Sequence, residues 1–70
     1  MSKSIKVLRR KAREDLRQAV LGGAVPVAVF AARLGRSERT IRTWLDGKDP
    51  PSTAIEAIAS AIHEHLYGVK

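Results

Sequence analysis

Glycine and proline cut this 70-residue chain at Gly22-Gly23, Pro26, Gly35, Gly47 and Pro50-Pro51, and every element between the cuts must be short. Glycine stops a helix just past its end, and proline suits a helix's first position, so the cuts read as helix boundaries. No β-type alternation competes with helical spacing between them. Ten alanines and only three aromatic residues (Phe30, Trp44 and Tyr67) also suit close-packed helices better than a β-type core. The expected fold is all-α: one small domain over residues 1–70, built from four helices, five at most. A chain this short buries only about 60% of its unfolded surface, so its core is thin.

The apolar spacing places each helix. Ser4 is positioned to cap a first helix running to about Leu21, with Ile5, Leu8, Ala12, Leu16, Ala19 and Val20 on one face and Arg9, Arg10, Arg13 and Arg17 opposite. A second helix starts at Pro26 and carries Val27, Phe30, Ala31 and Leu34 as its core stripe. Gly35 ends it, and Ser37 caps a third helix over 38–46 that Gly47 terminates. The Lys48-Asp49-Pro50-Pro51 turn follows. Ser52 then caps a final helix to about Leu66, with Ile55, Ile58, Ala59, Ile62 and Leu66 on one face.

Charge narrows the function. The chain carries +6 at pH 7 with a pI near 10.6. Residues 1–21 hold seven basic and two acidic groups, 22–47 four and two, and 48–70 two and three. A polyanionic partner therefore faces the first two thirds of the chain. The uncharged stretch Gln18–Ala32 loosely resembles a signal peptide, but Glu14 and Asp15 precede it and Gly22-Gly23 and Pro26 interrupt it. Its fifteen residues fall short of the about 20 that span a bilayer. Secretion and membrane insertion are rejected, and the lack of cysteine fits a reducing cytoplasm.

The informative stretch is 26–47, two short helices joined by a tight turn at Gly35, as a helix-turn-helix requires. Ala31 is small where the third helix crosses, and Gly35 takes the left-handed conformation of the turn at no steric cost. Ile41, Trp44 and Leu45 pin the third helix, and Phe30 and Leu34 meet them. The remaining residues, Glu38, Arg39, Arg42, Thr43 and Asp46, share one exposed face. A short helix with an apolar back and a front of arginine and hydroxyl groups suits the DNA major groove. There arginine binds guanine O6 and N7 bidentately and glutamate accepts from cytosine N4. Glu38, Arg39, Arg42 and Thr43 are the candidate base-contacting residues. Arg33, Arg36, Ser37 and Lys48 flank the helix and are the candidate phosphate contacts.

The run FAARLGRSERTIRTWLDGKDPPS resembles the Cro/lambda-repressor-type (Xre-like) helix-turn-helix. Phe30-Ala31, Leu34-Gly35, Ser37, Thr40-Ile41, Trp44, Gly47 and Pro50 carry the resemblance, which covers about residues 26–62. It implies sequence-specific binding of double-stranded DNA by a dimeric transcriptional regulator. The expected action is repression by promoter occlusion, with the 38–46 helix in the major groove. The sequence departs from the family pattern at two positions. Val27 stands where members often place a phosphate-binding glutamine, and Leu45 where a glutamate commonly follows the tryptophan.

Other readings are weighed against these. The antitoxin of a toxin–antitoxin pair, or a DNA-architectural or excision accessory protein, would use the same fold. The basic face of the first helix is either a solvated surface, a phosphate contact or a membrane-surface element. Trp44 reads as core rather than as a base-stacking residue, and Glu38 as a partner for Arg42 at i+4 more than as a base reader. His63 and His65 are two apart and cannot chelate a metal together; Ser60 and His63 lack the third member of a triad; no phosphate loop is present. No enzyme, cofactor, metal or small-molecule ligand is expected. A homodimer on an inverted-repeat operator is expected, because one recognition helix reads too few base pairs to mark a unique site. Ile62 and Leu66 either complete their burial in the dimer interface or pack back onto the first helix.

Overall fold

The computed structural model describes residues 4–68; residues 1–3 and 69–70 of the expected domain lie outside the described residues. Four α-helices follow one another: α1 (Ile5–Leu21), α2 (Val27–Leu34), α3 (Glu38–Leu45) and α4 (Ile55–Tyr67). No strand occurs among the described residues. The chain is a small all-α domain measuring 34 × 27 × 22 Å. α1 packs along α4, and α2 packs against both α3 and α4. Leu16, Val25, Phe30, Ile41, Trp44 and Ile58 meet in one core at 4% exposure or less.

Capping chemistry sets the ends of the elements. Ser4 Oγ accepts from the Val7 amide at 3.3 Å, and Ser37 Oγ from the Thr40 amide at 3.2 Å, so two serines cap α1 and α3 as their positions predict. Pro26 is the N-cap of α2 rather than its first helical residue; its ψ of 152° is extended, and the helix starts at Val27. Ser52 caps nothing with its side chain. Ser52–Ala54 form a 3₁₀ turn, and α4 starts at Ile55. The paired prolines hold the chain extended until Pro51, leaving room for one tight turn before regular helix begins.

Gly35 has φ +66°, and the Arg36 amide bonds back to the Ala31 carbonyl at 3.0 Å to close the turn between α2 and α3. A Cβ placed there would meet nothing within 4 Å, so strain alone opposes a side chain. Gly35→Ala is expected to destabilise the fold by about 1–2 kcal/mol, the cost of the left-handed region for an L-residue. Gly35→Asn should cost less, because asparagine tolerates that region. Thermal unfolding checks both, and equal losses would point to a packing cause instead.

The core differs from expectation in phase. Val25 is fully buried although it sits in the α1–α2 joint. It precedes the N-cap of α2 and Phe30 is that helix's fourth residue, the spacing of a hydrophobic staple. In α4 the buried residues are Ile58 and Ala61, preceded by Ala54 in the 3₁₀ turn. Ile55 and Ile62 flank the core, whereas Ala59 and Leu66 are exposed. Ile5, at 53% exposure, is outside the core as well.

Candidate nucleic-acid interface

α3 is eight residues long and, like any α-helix, about 10–12 Å across with its side chains, a diameter that a B-DNA major groove about 12 Å wide admits. Ile41 and Trp44 bury its back at 0% and 4% exposure, and Leu45 is half-buried beside them. Trp44 is thus a core residue. Glu38, Arg39, Arg42, Thr43 and Asp46 are all exposed.

The polar groups on this front differ in what already occupies them. Arg42 Nη2 lies 3.2 Å from Glu38 Oε1, the i,i+4 pair that their spacing predicts. An exposed pair of this kind is worth only about 0.3–0.5 kcal/mol, so the guanidinium is released from the carboxylate at little cost. The Thr43 hydroxyl donates to the Arg39 carbonyl at 3.0 Å, which leaves its methyl group and remaining lone pair for a ligand. Arg39 has no carboxylate partner among the described residues, which makes it the less encumbered of the two arginines on the face.

The flanking residues divide in the same way. Arg36 and Lys48 are exposed at the two ends of α3, with no ion-pair partner among the described residues. Ser37 is engaged as the helix cap, and its hydroxyl also meets Thr40 Oγ1 at 3.1 Å. Arg33 is ion-paired with Glu64 of α4, which joins α2 to α4 while leaving its side chain half-exposed.

No family model, curated protein or solved structure matches the chain.

The basic face of α1 is only in part a solvated surface: Arg10 is exposed with no ion-pair partner among the described residues, whereas the other three arginines are engaged. Arg17 Nη1 donates to the Leu45 carbonyl at 2.9 Å, and Arg13 Nε to Asp49 Oδ1 at 2.8 Å. Arg9 Nε donates to the Pro50 carbonyl at 2.7 Å. Three arginines at i, i+4 and i+8 thus hold the end of α3 and the connection after it. The spacing was visible in the sequence; its acceptors, 28 to 41 residues away, were not. Among the described residues, no group of three His, Asp or Glu side chains could hold a metal, and His63 packs against Tyr67 with ring centroids 4.9 Å apart and planes tilted by 46°. No helix there is long and apolar enough to cross a membrane.

Proposed function

We propose that the protein is a cytoplasmic, sequence-specific binder of double-stranded DNA that represses transcription by occluding a promoter. The exposed front of α3 carries this reading: two arginines, one of them unpaired, stand on a helix whose back is sealed by Ile41 and Trp44. The resemblance of 26–62 to Cro/lambda-repressor-type helix-turn-helix domains supports it. Arg39 and Arg42 read base edges, with Thr43 offering a methyl contact to thymine. Arg36 and Lys48 hold phosphates on either side.

The operator is an inverted repeat bound by a homodimer, whose two α3 helices enter successive major grooves about 34–36 Å apart. Leu66 and Tyr67 remain 49% and 73% exposed at the end of α4 and are the apolar surface offered to the second copy. Ile62 packs back onto the core within one chain and contributes less.

Selection of bound sequences from a random DNA pool tests the reading. An inverted repeat with a fixed half-site spacing is expected; a pool that emerges unenriched overturns it. The phosphate roles are tested separately. Arg36→Ala and Lys48→Ala are each expected to weaken binding to all sequences alike and to lower the salt slope by about two, one for each subunit of the dimer. A changed site preference with an intact slope would reverse the assignment.

A further inference from the structure

We propose that Arg9, Arg13 and Arg17 of α1 are positioning residues for base readout, fastening the C-terminal end of α3 so that it enters the groove at one fixed pitch. The proposal rests on the DNA-binding reading above. An eight-residue helix has no stability of its own, so its direction is set by what holds its two ends and its back. The N-terminal end is held by the Gly35 turn and the Ser37 cap, and the back by Ile41 and Trp44.

The C-terminal end needs its own fastening. The Gly47 amide bonds to the Trp44 carbonyl and the Lys48 amide to the Thr43 carbonyl, closing the last turn. Arg17 takes the next carbonyl, that of Leu45, and brings a positive charge to the negative end of the helix. Four residues along α1, Arg13 pairs with Asp49 with both side chains under 30% exposed, so this pair is shielded from water and salt. One further turn along, Arg9 grips the carbonyls of Pro50 and Asp49, and Pro50 itself is buried. The ladder thereby ties 45–50, including the phosphate candidate Lys48, to the longest helix of the domain.

Arg13 and Asp49 separate positioning from charge. Arg13→Gln removes a positive charge and Asp49→Asn a negative one, so an effect of charge on DNA moves non-specific affinity in opposite directions. A positioning effect lowers the ratio of specific to non-specific affinity in both variants. That ratio is expected to fall about ten-fold in each, within the discrimination carried by one base contact. The exchanged pair Arg13→Glu with Asp49→Arg, which keeps the net charge, is expected to restore it. In the free protein, amide exchange at Asp46, Gly47 and Lys48 is expected to speed up about ten-fold in both single variants, with the Arg36 amide unchanged. Should Arg13→Gln not fold, Asp49→Asn carries both comparisons. An unchanged ratio with a lowered melting temperature would make the ladder purely structural and overturn the proposal. So would opposite shifts in non-specific affinity at a constant ratio, or unchanged exchange at 46–48. A native chain that selects no DNA sequence instead refutes the function proposed above, and the exchange rates still report whether the ladder orders the end of α3.

Discussion

Phe30→Ala is expected to leave the chain largely unfolded at 37 °C. Phe30 is fully buried where α2 meets the rest of the core, and it is the largest side chain to be so. Truncating a buried phenylalanine costs about 3–5 kcal/mol, part lost transfer energy and part the cavity left behind. A chain of this length holds only about 4–10 kcal/mol in total, at roughly 0.05–0.15 per residue. There is no disulfide to limit the loss. Helical circular dichroism against temperature measures it; a cooperative melt displaced by only a few degrees would show that the core repacks around the gap. Leu66→Ala is the matched control. Leu66 is half-exposed, so in a single chain the change is expected to stay within about 0.5 kcal/mol. A larger loss that is seen at high protein concentration and disappears as the protein is diluted would locate the dimer seam at the end of α4.

Arg39→Ala is expected to have the largest effect on DNA binding while leaving the fold intact. Arg39 is exposed and makes no ion pair among the described residues, so its removal costs the free protein nothing in lost partners. A bidentate arginine–guanine contact is worth about 1–3 kcal/mol of discrimination. On an inverted repeat the substitution acts once per recognition helix, giving about 2–6 kcal/mol, or roughly 30-fold to 10⁴-fold, across the full site. Preference at the two symmetry-related positions should relax while the melting temperature holds. Arg42→Ala is expected to do less, because Arg42 already has a partner in Glu38 to give up. Titrations of the selected operator and of a half-site-scrambled duplex read both. If neither substitution alters the site preference, the front of α3 does not read bases.

The helices were legible because their causes are local. Ser4 and Ser37 cap the helices they precede, Gly35 and Gly47 stop the ones they follow, and Ile41 and Trp44 fall on the dry side of α3 by spacing alone. The i,i+4 pair Glu38–Arg42 is local in the same sense. All these depend on residues within about one helical turn of each other, whose relative positions the backbone dictates.

Only the tertiary structure could decide the rest. α4 carries alanine and isoleucine around much of its circumference, so its period is plain but its phase is open; α1 and α2, packing against it from two sides, select Ile58 and Ala61 over Ala59 and Leu66. The ion pair of Arg33 with Glu64, and the reach of Arg9, Arg13 and Arg17 to residues 45–50, depend on which helices lie side by side. An arginine's long side chain and five donors serve a phosphate, a carboxylate or a backbone carbonyl equally well. Its sequence position says which face it leaves from, and only the packing of distant segments says what stands within reach.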